Sequence, residues 1–186
     1  KPDLVTLDLE MPRMDGFTLL RIIMKNRPVP VIVVSSLGGD ERVFRALELG
    51  AVDFIPKPSS ILSMTVDEIG SLLIGKVKSV SRSKIKILKK EEAAPGAAEL
   101  RRPAVFETKA GAGDKLVGIG TSTGGPSALL NVFRGLPQNF PSPVLVVQHM
   151  PEGFTKAFAD RLNSNSALLV KEAEDGDRVL PGHGYV

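Results

Sequence analysis

The sequence predicts an α/β fold with two doubly wound parallel-sheet domains, both truncated, joined by a linker. Short aliphatic runs alternate with segments whose apolar residues recur at helical spacing, and the alternation pauses before restarting near residue 115. Alternating strands and helices form parallel sheets with crossover helices. We therefore assign residues 1–75 to a first domain, 76–113 to a linker and 114–186 to a second domain.

The first domain contains three predicted strands and three predicted helices. The strands are 4–7, 31–34 and 51–55, each rich in β-branched or aliphatic residues. Asp15 is predicted to cap the first helix, and Gly50 to end the second. The third helix carries apolar residues spaced four, three and four positions apart: Leu62, Val66, Ile69 and Leu73.

The second domain repeats the pattern. Strands are predicted at 116–120 and 144–147, and a third begins at 168–170. Each of the first two is followed by a segment of helical spacing. The segment 181–184 contains His183 and is predicted to be a turn with a surface histidine.

Composition excludes several classes of protein. Lys and Arg total 24 against 21 Asp and Glu, and aromatic residues are only 5% of the chain, so a nucleic-acid partner is not expected. The absence of cysteine excludes a disulfide scaffold, a thiolate zinc site and a cysteine nucleophile. No apolar run approaches the ~18 residues of a membrane helix, so we expect no membrane insertion and a cytoplasmic location.

The two ends and the linker raise separate expectations. The chain does not begin with Met, and apolar stretches stand at both ends, so we expect it to be a piece of a longer protein. Residues 76–90 are basic and 91–113 are rich in Ala, Gly, Pro and charge, and the preceding helix could continue into the first turns of this linker. A solvated linker is the favoured interpretation of the basic run, with phosphate or membrane contact as the alternative.

Polar residues follow the three strands of the first domain. The strands end in Asp8, in Ser35 and, after Pro56, in Lys57. The carboxyl ends of parallel strands meet at one edge, where ligands bind in open sheets. A carboxylate nucleophile, a hydroxyl and an ammonium could together accept and hold a phosphoryl group, with Mg²⁺ neutralising its charge. Ordinary polar groups at strand ends are the alternative.

These segments resemble the receiver domains of two-component systems. The resemblance covers residues 1 to about 75 and is carried by three motifs: VTLDLEMPRMDG at 5–16, VVSS at 33–36 and GAVDFIPKP at 50–58. It implies a flavodoxin-like fold with Asp8 as the phosphorylated residue. Ser35 and Lys57 would sense the phosphate, and Phe54 would occupy the aromatic switch position.

The resemblance also implies a metal site, which this sequence fills only in part. Asp8 and the main-chain carbonyl of Glu10 would bind Mg²⁺, but the acidic pair that follows the first strand of receivers would precede Lys1. We therefore expect weak Mg²⁺ binding and inefficient phosphorylation of these 186 residues. The Lys57–Pro58 peptide bond is expected to be cis.

A second candidate site lies in the second domain. Residues 120–124 read G-x-S-x-G between a predicted strand and helix, the pattern of a nucleophile elbow with Ser122 at its tip. Amides of the following helix N-terminus could stabilise an oxyanion. His149, at the end of the next strand, is a candidate base. From the residues alone, a base and an ordinary strand-end histidine remain equally open.

Dinucleotide binding is a competing interpretation of the same glycines. Gly118, Gly120 and Gly124 approximate the glycine fingerprint, but the third glycine comes one residue late. The fingerprint also needs an acidic residue at the end of the second strand, where this chain has Gln148 and His149. A nicotinamide cofactor is therefore disfavoured.

The second domain resembles the chemotaxis-type protein-glutamate methylesterases of the CheB family. The motifs are LVGIGTSTGGP at 116–126, VVQHMP at 146–151 and KEAEDG at 171–176, and the order of receiver, linker and esterase is that of the family. The resemblance implies a Rossmann-like α/β catalytic domain with Ser122 as nucleophile and His149 as base. It implies hydrolysis of glutamate methyl esters, and deamidation of glutamines, on chemoreceptors, without a cofactor and under control of a chemotaxis histidine kinase.

The third member of the triad is not assigned. The family's aspartate would lie beyond Val186, and the local candidates Asp160, Asp175 and Asp177 offer no decisive pattern. We therefore expect these 186 residues to be nearly inactive by themselves. The alternative function is a receiver-controlled signalling adaptor whose esterase-like half only binds. The presence of both Ser122 and His149 favours the enzyme.

Overall fold

The predicted α/β architecture is confirmed. The computed structural model describes residues 2–36, 40–58, 65–82, 115–151 and 153–186. The chain divides into two compact units, each holding one sheet, and every strand pairing in both sheets is parallel. Within these ranges, no helix combines the length and apolar character needed to cross a membrane.

The first unit holds a three-stranded sheet in the order β1-β2-β3. Its elements, in chain order, are β1 (Val5–Asp8), α1 (Gly16–Asn26), β2 (Val31–Ser35), α2 (Asp40–Glu48), β3 (Asp53–Pro56) and α3 (Val66–Arg82). Asp8 pairs with Val34 in the register, and Ser35 pairs with Pro56. The three strands therefore end at the same edge of the sheet, as predicted.

Local sequence explains where these helices begin and end. The Asp15 carboxylate accepts hydrogen bonds from the amide and the hydroxyl of Thr18, which confirms the predicted cap of α1. Gly50, two residues after α2, has a φ of 106°, a conformation that favours glycine. Thr65 and Glu68 form a capping box before α3, and this box lowers the pKa of the Glu68 carboxyl.

Helix α3 packs on the sheet and extends beyond its predicted apolar segment. Its Ile69 and Val80 are buried in one cluster with Ile32 and Ile55. The helix runs through residues 76–82, the first part of the segment predicted as linker. Residues 83–113, like Leu62 of the predicted third helix, lie outside the described residues.

A buried ion pair fastens α3 to β3. Asp53 is fully buried, Lys76 is nearly so, and Nζ of Lys76 lies 2.7 Å from Oδ1 of Asp53. The same ammonium lies 5.7 Å from the ring centroid of Phe54. Because each charge is removed from water, each depends on the other for its stability.

The second unit holds a four-stranded sheet in the order β4-β5-β7-β6. Its elements are β4 (Val117–Thr121), α4 (Gly125–Gly135), β5 (Val144–Gln148), α5 (Phe154–Asn165), β6 (Leu169–Lys171) and β7 (His183–Tyr185). The inward face of α5 carries Phe154, Phe158 and Leu162, all buried. The first two predicted strands and both predicted helices are confirmed.

Strand β7 departs from the sequence prediction. His183 was expected in a turn, but it is the first residue of a strand inserted between β5 and β6. The turn is confined to residues before it, where Gly182 has a φ of 73°. The strand has only three residues, so its extended conformation depends on pairing with two neighbours rather than on a local pattern.

Glycine at position 184 allows α4 to approach the centre of this sheet. A Cβ atom on Gly184 would lie 2.7 Å from the ring of Phe133, which is fully buried. The glycine therefore leaves space for an aromatic ring that covers the inserted strand.

Candidate functional site

The structure brings two of the predicted receiver residues into direct contact. Nζ of Lys57 lies 2.6 Å from Oδ2 of Asp8, and the amide of Glu10 donates a 2.9 Å hydrogen bond to Oδ1. Both carboxylate oxygens therefore have a partner. Each side chain is about one-third exposed, 34% for Asp8 and 33% for Lys57, so the pair is open to a ligand from solvent.

The electrostatics of this pair favour the ionised form of Asp8. Partial desolvation raises the pKa of the carboxyl, but the hydrogen bonds from Lys57 and from the Glu10 amide, with the Lys57 charge, outweigh it. The net result is a pKa below the usual aspartate value. An ionised carboxylate is the form that can act as a nucleophile.

Ser35 lies at the same edge but does not contact Asp8. Its side chain is buried, and its hydroxyl donates to the carbonyl of Ser36 at 3.5 Å. Its own carbonyl accepts a 2.7 Å hydrogen bond from the amide of Lys57.

Phe54, the predicted switch residue, lies in the core of the first unit. Its ring meets that of Phe44 edge to face at a centroid distance of 6.4 Å.

The prediction of a cis peptide bond between Lys57 and Pro58 is wrong, since none of the described residues has a cis peptide bond. The trans form is intrinsically favoured. With this bond trans, the amide of Lys57 donates to the carbonyl of Ser35 and its ammonium donates to Asp8.

The side chain of Glu10 forms a contact that sequence reasoning missed. One carboxylate oxygen accepts from Arg42 at 2.7 Å and the other from the Ser36 hydroxyl at 3.2 Å. The Arg42 guanidinium also lies 5.8 Å from the centroid of Phe17. The loop after β1 is thereby linked to the loop after β2 and to α2.

The described residues at this edge do not by themselves make a Mg²⁺ site. Asp8 offers one carboxylate, already engaged by Lys57, and the Glu10 side chain is held by Arg42. Across the described ranges no group of three potential metal-ligating side chains occurs. The main-chain carbonyl of Glu10 would add one oxygen, which leaves the octahedral demand of Mg²⁺ to other ligands.

The second site is formed where β4 and β5 end. Oγ of Ser122 lies 3.3 Å from Nδ1 of His149, 27 residues away in the chain. Thr121 and Gln148 are the last paired residues of the two strands, so Ser122 and His149 each stand one position beyond the ladder. Both side chains are exposed and can meet a substrate.

The turn around Ser122 has the features of the predicted nucleophile elbow. Gly124 has a φ of 78°, which an L side chain rarely adopts, and α4 begins at the next residue. A strand, a tight turn and a helix therefore follow one another within a few residues. The serine projects from that turn rather than from the paired strand.

Gln148 joins the two strand ends through its side chain. The buried carboxamide donates hydrogen bonds to the carbonyls of Ser122 at 3.1 Å and His149 at 2.9 Å, and it accepts one from the Thr121 hydroxyl at 2.7 Å. Sequence reasoning considered Gln148 only as a mismatch to a dinucleotide fingerprint. A polar residue ending a buried strand beside a candidate base was the signal that could have identified it.

The three local candidates for a triad carboxylate do not contact His149. Asp160 pairs with Lys156 at 3.1 Å, and Asp177 pairs with Lys171 at 2.9 Å. Asp175 is exposed in the turn that follows β6. In the part of the chain that is described, no hydrogen bond joins His149 to a carboxylate.

Comparison with known families assigns both halves of the chain. Residues 1–66 match the response regulator receiver domain, and residues 117–186 match the CheB methylesterase. A Halalkalibacterium halodurans protein-glutamate methylesterase/protein-glutamine glutaminase is 46% identical over the whole chain, which covers 52% of that protein. Over its whole length the chain is similar to proteins that join a receiver domain to a CheB methylesterase.

Other relatives show the same partial coverage. A protein from Pyrococcus abyssi with the same name is 45% identical over the whole chain, which covers 50% of its length. The crystal structure of the Thermotoga maritima CheB methylesterase catalytic domain is 59% identical over 39% of each chain, with a TM-score of 0.38. The chain thus spans about half the length of the curated CheB relatives it matches.

Proposed function

We propose that these 186 residues are part of a phosphorylation-regulated protein-glutamate methylesterase of bacterial chemotaxis, located in the cytoplasm. The substrates would be glutamate methyl esters on chemoreceptors, with glutamine side chains as a second class. The observation that carries the proposal is the 3.3 Å contact between Oγ of Ser122 and Nδ1 of His149 at the ends of adjacent parallel strands. The names of the relatives supply the two reactions, and the family resemblance implies chemoreceptors as the substrates.

The chemistry follows from a serine beside an imidazole. His149 removes the hydroxyl proton as Ser122 attacks the ester carbonyl, and the imidazolium then protonates the departing methoxide to methanol, which leaves an acyl-serine. Water attacks this acyl group with His149 again as base, and the imidazolium returns the proton to Oγ as its bond to the acyl carbon breaks. This step releases the glutamate and restores the serine. A glutamine amide would follow the same course and release ammonia, and hydrolysis requires no cofactor.

The missing element is a carboxylate to orient His149. The resemblance to the CheB family implies that this carboxylate lies beyond Val186, and it is consistent with this that Asp160 and Asp177 are engaged by lysines. We therefore assign the role to a residue outside these 186. Loss of the orienting carboxylate in a serine triad lowers kcat about 10⁴-fold. The 186 residues alone should therefore be nearly inactive, and turnover at the rate of the full-length protein would contradict this assignment.

The receiver half would control the esterase through Asp8. A histidine kinase of the chemotaxis pathway would phosphorylate this carboxylate, and Lys57 with the Ser35 hydroxyl would hold the phosphate oxygens. Phe54 would take the switch position. Two features support this assignment: the 2.6 Å contact between Lys57 and Asp8, and the lowered pKa of the Asp8 carboxyl.

Mg²⁺ binding by the receiver half is expected to be weak, because among the described residues at this edge the Asp8 carboxylate is paired with Lys57 and the Glu10 carboxylate with Arg42. Titration with beryllofluoride, a phosphoryl mimic, tests this expectation. Weak or undetectable Mg²⁺-dependent binding is expected. Tight Mg²⁺-dependent binding would show that the described residues complete the site.

The esterase proposal is tested in the full-length protein that we propose contains this chain. Methanol release from methylated receptors is measured for the native protein, Ser122→Ala and the control Ser127→Ala. Removal of a serine nucleophile lowers kcat roughly 10⁴- to 10⁶-fold, whereas Ser127→Ala should remain close to native. Unchanged turnover by Ser122→Ala would reject the nucleophile, and no turnover by the native protein would favour a binding-only adaptor.

A further inference from the structure

The backbone ladder between β4 and β5 ends at the amide of His149 and does not include Ser122. The last ladder contact is the 3.0 Å hydrogen bond from the amide of His149 to the carbonyl of Thr121. Among the described residues, no main-chain hydrogen bond joins Ser122 itself to His149. A side-chain contact beyond the ladder could therefore help to hold the two residues at a distance suited to proton transfer.

The Gln148 side chain makes that contact. Its Nε2 donates to the carbonyl of Ser122 at 3.1 Å and to the carbonyl of His149 at 2.9 Å. Two carbonyl acceptors can be satisfied only by the amide nitrogen, which fixes the orientation of the group. One side chain therefore holds the main chain of both reactive residues.

The remaining atom of the carboxamide is fixed as well. Oε1 accepts a 2.7 Å hydrogen bond from the hydroxyl of Thr121, on the opposite strand. Gln148 is only 8% exposed, so water competes little for these hydrogen bonds. Both donors of the amide nitrogen and one lone pair of its oxygen are thus used by neighbours that flank the site.

We propose that Gln148 is a positioning residue, which holds Ser122 and His149 in register through their carbonyls, with Thr121 orienting its amide. Gln148 is buried whereas Ser122 and His149 are exposed, so the role assigned to it requires no contact with substrate. Its removal should therefore lower kcat more than it raises KM. This inference rests on the proposed esterase function.

The kinetic test uses variants of the full-length protein. Gln148→Met keeps the side-chain length but removes the donors, and kcat should fall by up to about 100-fold with KM nearly unchanged, the loss expected for a misplacement near 1 Å. Thr121→Val should produce a smaller loss in kcat, and Thr121→Ser, which restores the hydroxyl, should recover it. Val146→Ala truncates a buried residue of the same strand and should keep native kcat in the folded protein.

A second readout does not depend on activity. In the NMR spectrum of the 186-residue chain, the two Nε2 protons of Gln148 should exchange slowly and shift when Thr121→Val is introduced. Rapid exchange of these protons, or a native kcat in Gln148→Met, would overturn the positioning role. If the native full-length protein has no esterase activity while the Gln148 protons are protected, the proposed function fails. The hydrogen bonds by which Gln148 joins the two strand ends would still be supported.

Discussion

The ammonium of Lys57 contacts Oδ2 of Asp8 at 2.6 Å, across the carboxyl edge of the first sheet. The two residues are 49 positions apart in the chain and are brought together by the parallel pairing of β1, β2 and β3. The contact gives the proposed phospho-acceptor a cationic partner before any phosphate arrives. The pKa of the Asp8 carboxyl therefore depends in part on this contact, and it can be measured.

Removal of the Lys57 charge should raise the pKa of Asp8. The desolvation that opposes ionisation would remain, while the hydrogen bond and charge that favour it would be lost. A ¹³C-detected titration of the Asp8 carboxyl in Lys57→Met should show the higher value. Lys25→Met, on the exposed side of α1, is the matched control and should leave the titration unchanged. An unaltered Asp8 titration in Lys57→Met would contradict the ion pair.

The Asp8–Lys57 pair should also make the free energy of unfolding fall at acidic pH. Because the folded-state pKa of Asp8 lies below its ordinary value of 3.8, its contribution is present above about pH 4 and is lost as the pH falls through the lowered folded value. Asp8→Asn should therefore flatten the decline in unfolding free energy below about pH 4. Urea unfolding at several pH values measures this, with the exposed Asp3→Asn as control. Equal slopes for native and Asp8→Asn would count against it.

The buried pair of Asp53 and Lys76 should contribute strongly to the stability of the first unit. Lys76→Met leaves the Asp53 carboxylate buried without its cation, a change that costs about 3–5 kcal/mol. Lys78→Met, on the exposed face of the same helix, should change the unfolding free energy by less than about 0.5 kcal/mol. Chemical unfolding compares the two variants. Similar midpoints for both would show that the pair does not stabilise the packing of α3.

Gly16 is required by the close approach of α1 to the main chain at Asp8. A Cβ atom at Gly16 would lie 2.3 Å from the carbonyl oxygen of Asp8, so Gly16→Ala should destabilise the unit by about 1–3 kcal/mol. Gly70→Ala in α3 is the opposite case, since its Cβ would meet no atom within 4 Å. That variant should gain about 0.5–1 kcal/mol. Stabilisation by both alanines would refute the steric argument.

The elements that local chemistry specifies were predictable from the sequence. Aliphatic runs located β2 and β5, and the Asp15 cap and the glycine at position 50 marked helix ends, because these signals act within a few residues. Strand β7 was not predictable in this way. Its conformation depends on pairing with β5 and β6, and its three residues carry no repeat.

The candidate sites show the same difference between features that a sequence pattern predicts and features that depend on distant partners. The proximity of Asp8 to Lys57 and of Ser122 to His149 was predictable because residues at the ends of parallel strands share one edge. The Asp53–Lys76 pair and the Gln148 carboxamide were not identified, because their roles arise from burial and from partners distant in the chain. Ser35 was expected beside Asp8, but its hydroxyl contacts Ser36 instead.

Mass spectrometry of quenched turnover would locate the acyl group that the proposed mechanism requires. The full-length protein is mixed with a slowly hydrolysed glutamyl ester, quenched in acid and digested. We predict an acyl adduct on the peptide that contains Ser122, its absence in Ser122→Ala and its retention in Ser127→Ala. Turnover without an adduct on Ser122, or with the acyl group on another residue, would contradict the proposed esterase site.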